Sequence, residues 1–433
     1  MEIDLLLMQD GQYKGHYILY ITFVVLLLYG AAQSCYAAAF SMKPQNVTNL
    51  GYAYAGTAAL AEDASSGYYN PAALTKINDQ LLLSAVGMRT KTKLEAFFAR
   101  DNGALNVEAD NITNPQGRIL IPASHFAKRI SDNWVTAINI TSPFAVKLTY
   151  DGDSIAQYMA TKSLIKTINF SPSLGYQLSN NIALGLGIDF LKTHIILNTN
   201  CRMNSQGYIN NDGKGWGYSY HLGLLYRFSS DTRIGLAYHG NYNVHVRGQT
   251  EAEYVSVPNP ESFDLGIKLP DAITYSVHYA YDHKWSIMSD IEFMHWSRFK
   301  YLRFEFNTNS YIEEQKNFHN SFRLALGVNY QYYNNLSFKL GIAFDQSPVK
   351  AVHRTARMPD SDRIWLALGI KYRLFNCLHL DIGYAHIMLK NAVIEATSPD
   401  NPLKGTTFSM QKLDGIYRRH MDVMGMQIRY DFG

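Results

Sequence analysis

The sequence predicts an all-β protein, a transmembrane 14-stranded antiparallel β-barrel plugged by a small N-terminal hatch. Three observations predict this fold. Apolar and polar residues alternate with a period of two along much of the chain after residue 80. The alternating segments are about as long as a strand needs to be to cross a membrane. An apolar segment typical of an export signal precedes them.

Composition excludes several classes of protein. Of the 433 residues, 17% are charged and 13% are Phe, Trp or Tyr, and this apolar and aromatic content excludes a disordered chain. A formal net charge of +3 argues against a nucleic-acid-binding protein, and three cysteines argue against a disulfide scaffold. A bundle of transmembrane helices is excluded because the chain has one long apolar run, shorter than about 20 residues.

Residues 1–39 are predicted to be a cleaved signal peptide. Lys14 and His16 precede an apolar run from Tyr17 to Tyr29, and small residues follow up to Ala39. A positive flank, a short apolar stretch and an A-x-A-like site in this order are typical of export signals. A retained anchor helix is the alternative, but the run is short for a membrane span. We expect the mature chain to start between Ala38 and Phe40.

Residues 40–79 form the predicted hatch, and residues 80–433 the predicted barrel. The hatch stretch lacks strand alternation and is rich in Ala, Gly, Ser and Asn. It is too long to be an overhang and too apolar to be a free linker. We therefore expect it to fill the periplasmic end or the lumen of the barrel.

The barrel prediction depends on fourteen alternating segments. In lipid, only a closed barrel pairs every backbone group of its strands, and an even strand number suits a bacterial outer-membrane barrel. A soluble β-sandwich also produces alternation, but neither the segment length nor the export signal favours it. The strands are predicted to begin near Gln80, Gly117, Asn133, Leu164, Asn181, Lys214, Asp231, Leu269, Lys284, Asn320, Asn335, Ser361, Cys377 and His420.

Short turns, such as Leu178–Asn181, alternate with long connections, such as Val246–Lys268 and Lys390–Arg419. This asymmetry predicts short turns on the periplasmic side and long loops outside the cell. Alternation also directs several cationic side chains into the lumen, where we expect acidic partners such as Asp345, Asp381 and Asp431. These cations are Lys339, Lys371, Arg373 and Arg429.

Four blocks of residues occur in an order that resembles the FadL/TodX family. The blocks are Asn49–Ala59 with Tyr69–Leu74, Leu269–Asp271 with Trp296–Phe299, Ala343–Val349, and Arg354-Thr355 with Pro359–Trp365. The similarity runs from about residue 38 to the end of the chain. Members of that family take up long-chain fatty acids or aromatic hydrocarbons across the outer membrane.

The resemblance implies a barrel plugged by the hatch and a passive route for a hydrophobic ligand. The ligand would bind in an outer groove, pass to a lumenal pocket, and leave through the barrel wall after the hatch N-terminus shifts. Asn70, Pro71 and Ala72 match the family's hatch motif and would take part in gating. Phe40 and Met42, at the mature N-terminus, would contact ligand.

A basic cluster provides candidates for holding a fatty acid carboxylate, because a guanidinium matches a carboxylate in a bidentate manner. The cluster comprises Lys350, Arg354, Arg357 and Arg363. We expect Arg363 to pair locally with Asp360 and Asp362, which leaves Arg354 and Lys350 as the candidate ligand-binding residues.

No catalytic or metal motif is present, since the chain contains neither H-E-x-x-H nor a Cys/His cluster. We predict a non-enzyme without cofactor or metal. A porin and an outer-membrane lipase are weaker alternatives, because a hatch would obstruct a pore and no Ser/His motif is seen.

The expected partners are a hydrophobic small molecule, outer-membrane lipid and the barrel assembly machinery, without nucleic acid. The family resemblance implies a monomer. Whether Cys201 and Cys377 pair is left open by the sequence.

Overall fold

The computed structural model describes residues 39–100, 106–202, 206–253, 261–307, 310–397 and 412–432. Apart from Ala39, the predicted signal peptide lies outside these residues. The strands are β1 Gln80–Arg100, β2 Ile112–Thr113, β3 Gln116–Arg129, β4 Trp134–Thr141, β5 Ala145–Thr149, β6 Lys162–Gln177, β7 Ile182–Arg202, β8 Gln206–Arg227, β9 Thr232–His239, β10 Asn243–Ala252, β11 Glu261–Lys268, β12 Ala272–Ala280, β13 Trp285–Met294, β14 Tyr301–Phe306, β15 Tyr311–Gln315, β16 Ser321–Tyr333, β17 Leu336–Asp345, β18 Arg363–Phe375, β19 Leu378–Leu389, β20 Ala392–Thr397 and β21 Lys412–Asp431. One α-helical turn spans Ser66–Tyr69, and 3₁₀ helices span Leu50–Tyr52, Pro71–Lys76, Trp296–Arg298 and Ala351–His353.

Fourteen of these strands close into a ring. Antiparallel pairing runs through β1, β3, β4, β6, β7, β8, β9, β12, β13, β16, β17, β18, β19 and β21. The ring closes where β21 pairs with β1, from Gln80 opposite Asp431 to Arg100 opposite Lys412. The predicted 14-stranded antiparallel barrel is confirmed.

Seven further strands extend the ring on the side of the long connections. β10 and β11, for example, form a hairpin within residues 246–268, which the sequence predicted to be a long loop. β8 likewise begins at Gln206 rather than near Lys214, and β21 at Lys412 rather than near His420. In β10 and β11 the alternation persists, but the apolar residues Val246, Phe263 and Leu265 are buried and the outward positions are polar. The lipid-facing apolar pattern that marks a membrane strand is therefore absent there.

A belt of apolar side chains surrounds the barrel. On β21, the exposed residues are Met424, Met426, Ile428 and Tyr430, while Gln427 and Arg429 between them face inward. Leu366, Leu368 and Ile370 continue the exposed belt on β18. Exposed apolar faces over the length of a membrane strand are what lipid requires. Among the described residues, no helix is long and apolar enough to cross a membrane.

Residues 40–79 fill the lumen and are buried along most of their length. Small residues of the wall admit them. A Cβ on Gly341 of β17 would clash with the backbone of Tyr52 and Ala53, and one on Gly185 of β7 would clash with Pro71 and Ala72. Glycine is therefore required at these wall positions because the hatch backbone lies against the strand.

Charged wall residues fasten the hatch. Lys339 lies 2.8 Å from Asp381 and also donates to the Thr48 carbonyl, while Lys371 lies 2.7 Å from Glu62. Both lysines face inward as predicted, and so does Arg429, which pairs with Asp431 at 3.1 Å. Arg373 instead is exposed and donates to the Asn334 carbonyl at a turn.

Candidate ligand cavity and break in the barrel wall

The third strand of the ring is interrupted. β4 ends at Thr141 and β5 begins at Ala145, with Pro143 between them. Proline has no amide hydrogen and cannot donate to a strand ladder. β3 pairs with β4 from Ser124 onward but meets β5 at Gln116 alone, so residues 117–123 pair with neither strand. The hydrogen-bond ladder of the wall is therefore open at this level.

The first residues of the hatch cover this break from inside. The amide of Met42 donates to the Pro143 carbonyl at 2.8 Å, and the amide of Ala145 donates to the Phe40 carbonyl at 3.0 Å. The side chain of Gln45 donates to the Ser142 carbonyl at 2.9 Å and accepts from the Ser142 amide at 2.7 Å. Backbone groups that β3 leaves unpaired are thus satisfied by the first residues of the hatch.

Phe40 anchors this N-terminal segment, residues 39–43. Its ring is 3% exposed and lies 5.1 Å from the Trp296 ring, 5.7 Å from Phe299 and 6.0 Å from Phe144, measured between centroids. The two closest contacts are edge-on, the geometry that aromatic quadrupoles favour. Lys43 adds an ion pair with Glu292 of β13.

Above Phe40 lies a narrow apolar cavity, which we call the upper cavity. The atom-free space in and around it, including the solvent at its opening, is about 590 Å³. Phe40 and Phe144 form part of its wall, and most other lining side chains are aliphatic or aromatic. These include Val146, Ile165, Ile195, Leu197, Val244, Ile267, Leu269, Phe299, Leu302 and Met358.

Two cationic side chains also line the upper cavity. Lys316 is buried and lies 2.5 Å from Glu314, while Arg357 donates through Nη1 to the Asn198 carbonyl at 3.0 Å. Burial lowers the pKa of Arg357 from its ordinary value, although Glu314 and Tyr150 act to raise it. An arginine nevertheless stays protonated in proteins. Two cations against one carboxylate leave a net positive charge beside an apolar space.

The sequence favoured Arg354 and Lys350 as the cations of the site, but the structure places both outside the upper cavity. Arg354 donates through Nε to the Asp360 carbonyl at 2.9 Å and through Nη1 to the Val393 carbonyl. Lys350 is exposed at the start of a 3₁₀ helix. Neither lines a cavity described here. Arg363 pairs with Asp360 at 2.9 Å, as predicted, and donates to the Ala39 carbonyl.

Two further spaces lie on the other side of the N-terminal segment. One has about 320 Å³ of empty space and the other about 610 Å³, and Ser41, Met42 and Lys43 line both. Phe144 lines the upper cavity and the larger of these two. The N-terminal segment therefore separates the apolar upper cavity from more polar spaces, with Met42 on the far side of Phe40.

The Asn70-Pro71-Ala72 motif is fixed against the wall. Asn70 is fully buried, and its Nδ2 donates to the Ala58 carbonyl at 2.6 Å and to the Leu224 carbonyl of β8 at 3.1 Å. Its Oδ1 accepts from the Ala72 amide at 3.1 Å and caps the 3₁₀ helix Pro71–Lys76. The motif is therefore a buried anchor, and in sequence it lies well after the N-terminal segment that covers the break.

Among the described residues, one group of His and Asp side chains converges closely enough to hold a metal: Asp189, His221 and His239. His221 lies 2.9 Å from the Asp189 carboxylate through Nδ1 and 3.0 Å from the Gly67 carbonyl through Nε2. Both ring nitrogens of His221 are thus already in hydrogen-bonding contact with oxygen atoms of the protein. The group fastens the hatch helix Ser66–Tyr69 to β7 and β8.

Sequence reasoning did not identify Lys316, Phe144 or Trp296 as part of the site, and it placed Arg357 in the basic cluster without favouring it. Lys316 follows a strand beyond the lipid belt, where alternation gives no direction to a side chain. Pro143 between two alternating segments was the one available signal of the break.

A closed barrel with a lipid-facing belt, a filled lumen and an apolar cavity is an outer-membrane protein of a kind that passes hydrophobic compounds. The chain belongs to the family described as "Outer membrane protein transport protein (OMPP1/FadL/TodX)", which matches residues 28–432. Members of this family carry hydrophobic compounds across the outer membrane, and this chain is an outer-membrane barrel of that family.

Named relatives agree over most of the chain. Outer membrane protein P1 of Haemophilus influenzae is 25% identical, over 93% of this chain and 97% of that protein. The long-chain fatty acid transport protein of Escherichia coli O6:H1 is 25% identical, over 81% of this chain and 87% of that one. The crystal structure of a Pseudomonas aeruginosa FadL homologue has the same fold, with a TM-score of 0.85 and 18% identity over 92% of this chain and 100% of that one.

Proposed function

We propose that this protein takes up long-chain fatty acids, with the acyl chain in the upper cavity and the carboxylate held by Arg357 and Lys316. The observation that carries the proposal is the pair of cations on an otherwise apolar cavity. An acyl chain gains about 0.8 kcal/mol for each CH₂ that leaves water. A carboxylate in the same space requires charged donors, and hydrogen bonds to charged groups are the strong ones.

The route continues past the N-terminal segment. When a ligand fills the upper cavity, it competes with Phe40 for Phe144, Trp296 and Phe299. Displacement of residues 39–43 would uncover the break between β3 and β5, and the ligand would leave sideways into the membrane. Asn70, Pro71 and Ala72 hold the rest of the hatch still during this movement, so their gating role is that of an anchor.

An aromatic hydrocarbon is the alternative cargo, because it would also fit an apolar cavity. An aromatic hydrocarbon carries no charge that could pair with Lys316 and Arg357. Burying these cations beside it costs desolvation free energy that no ion pair offsets. A general porin is disfavoured because the hatch fills the lumen. A lipase would need a nucleophile and base at the cavity, and its described lining offers Ser163, Thr167 and Thr193 without a histidine.

Binding of oleate and of oleyl alcohol to the purified protein tests the headgroup assignment, since the two ligands share an acyl chain. Arg357→Gln and Lys316→Gln should each weaken oleate binding by about tenfold, the value of one charge-assisted hydrogen bond, and leave oleyl alcohol binding nearly unchanged. Lys350→Gln is the matched control. Loss of oleate binding in Lys350→Gln alone would restore the assignment made from sequence.

Uptake of radiolabelled oleate by intact cells tests the cargo. Deletion of the gene should lower uptake, and the wild-type chain should restore it. If uptake is unchanged by deletion while toluene entry falls, the aromatic alternative replaces the fatty acid.

A further inference from the structure

A cluster of basic side chains lies on the outside of the barrel, where β3, β1 and β21 are neighbours. This outer basic patch consists of Arg89, Lys91, Arg118, Arg418 and His420. Arg89, Lys91, Arg118 and Arg418 are exposed. The patch is separate from the lumen and takes no part in the proposed fatty acid site.

The patch lies at the upper edge of the lipid-facing belt. Below Arg89, the outward residues of β1 are Leu81, Leu83, Ala85 and Gly87. From Leu81 to Arg89 the strand rises about 26 Å, at about 3.3 Å per residue. With a strand tilt near 40° this is about 20 Å of height, close to the roughly 25 Å apolar band of an outer-membrane barrel. Arg89 is therefore at the level of the lipid headgroups of the outer leaflet.

Like charges face each other across this part of the sheet. Arg89 is the cross-strand partner of Arg118 on β3, and Lys93 is that of Arg418 on β21. The other cross-strand partner of Arg89 is Asp422 on β21. Cross-strand partners have Cβ atoms about 5 Å apart, and like charges in such pairs are destabilising. A pairing of this kind is stable when an anion from outside the sheet lies between the two side chains.

The nearby carboxylates are already engaged. Asp422 accepts from the Tyr384 hydroxyl and contacts His386 Nδ1, both at 2.9 Å. Glu95 pairs with Lys93 at 2.8 Å and with Arg418 at 3.1 Å. Within the part of the chain that the structure describes, no carboxylate lies within salt-bridge distance of Arg89, Lys91 or Arg118.

Arginines on the opposite side of the same rim have acidic partners. Arg247 of β10 lies 3.0 Å from Asp264, and Arg303 of β14 lies 2.5 Å from Glu313. Among the described residues, Arg89, Lys91 and Arg118 thus lack the carboxylate contact that Arg247 and Arg303 have, while Arg418 has Glu95.

We propose that the outer basic patch binds the phosphate groups of a phosphorylated glycolipid in the outer leaflet. Arginine forks match phosphate oxygens in a bidentate manner, and one phosphate between Arg89 and Arg118 removes their repulsion. The acyl chains of the same lipid lie along the exposed belt beneath, against Leu83, Leu120 and Met424, which are 52%, 69% and 64% exposed. Charge above and apolar surface below select a lipid over a free phosphate ion.

The test is binding of diphosphoryl lipid A to the purified full chain in a non-ionic detergent, followed by native mass spectrometry. Each basic side chain near a charged lipid surface contributes about fivefold to binding. The double variant Arg89→Gln/Arg118→Gln should therefore bind about 25-fold more weakly, and wild-type binding should weaken as salt is raised. Arg247→Gln, with one paired rim arginine removed, should bind as the wild type does.

Arg118→Glu separates lipid binding from folding. This substitution places an acid opposite Arg89, so it should lose lipid A binding while the barrel unfolds at the same urea concentration or higher. Monophosphoryl lipid A should bind more weakly than the diphosphoryl form, and inorganic phosphate at the same concentration should not displace either. Equal lipid A binding by wild type and both patch variants would overturn the proposal. Displacement by inorganic phosphate alone would also overturn it, in favour of a simple anion site.

Discussion

Truncation of Phe40 is the most direct perturbation of the proposed gate. The Phe40→Ala variant removes a buried ring that contacts Phe144, Trp296 and Phe299. Phe→Ala substitutions in a packed core cost about 3–5 kcal/mol. In the docked state residues 39–43 cover the break, as in the structure, and in the undocked state they have left it. The free-energy cost falls on the docked state, because the undocked segment has no such contacts. At about 3 kcal/mol, the undocked fraction should rise about 100-fold.

Accessibility of a thiol at position 41 reports this equilibrium. Ser41→Cys is introduced in a chain carrying Cys201→Ser and Cys377→Ser, which removes the two free cysteines of the described barrel. When docking is fast, the rate of maleimide labelling follows the undocked population. Phe40→Ala should therefore raise the labelling rate about 100-fold.

Phe126→Ala is the matched control for the loss of a ring. Phe126 faces outward on β3 and contacts Phe432 at 6.0 Å, so its removal should leave labelling at position 41 unchanged. An equal labelling rate in wild type and Phe40→Ala would refute the reasoning, since it would mean that the ring does not hold the segment closed.

Three further predictions concern the hatch and its supports. Gly223→Ala should lower the free energy of unfolding in urea by about 1–3 kcal/mol, because the added methyl group would clash with Asn70. Gly266→Ala is the control and should leave this free energy unchanged, because its added methyl group meets nothing within 4 Å. Gln45→Ala should increase labelling at position 41, because the Ser142 backbone loses both partners at the break; unchanged labelling would show that Phe40 alone closes it. Burial acts to raise the pKa of Glu62, but Lys339 and Lys371 outweigh it and hold that pKa well below 4.5. A carboxylate whose pKa is depressed in the folded state stabilises the protein above about pH 4.5, and this stabilisation is lost as the pH falls. The urea midpoint of unfolding should therefore fall less between pH 6 and pH 3 in Glu62→Gln than in the wild type. An equal fall in the two proteins would contradict this.

The membrane part of the fold was predictable because lipid imposes a period of two on every strand. β1, β7, β13 and β19 begin at or next to their predicted residues, Gln80, Asn181, Lys284 and Cys377. Outside the lipid this constraint ends, and the strands there were predicted as loops. β20, for example, lies in the predicted loop Lys390–Arg419.

The upper cavity could not be assembled from the sequence, because its walls come from distant parts of the chain. Phe40 meets Trp296 across the lumen, and Lys316 and Arg357 reach the same space from two extracellular connections. Periodicity assigns a side chain to the lumenal or the outer face of its strand. It does not say which side chains of other strands lie at the same height along the barrel axis. The charged pair Lys339–Asp381 was predictable to that extent, since both residues were assigned to the lumenal face.

The fit between the hatch and the wall glycines braces the barrel from within. The hatch backbone lies against Gly185 on one side of the ring and Gly341 on another, and it is tied to the wall by Lys339, Asp290 and His221. These contacts link strands that are far apart along the chain, so the hatch couples distant parts of the wall as an internal crosslink would. A chain without residues 40–79 would leave the spaces beside both glycines unfilled and would lose these links.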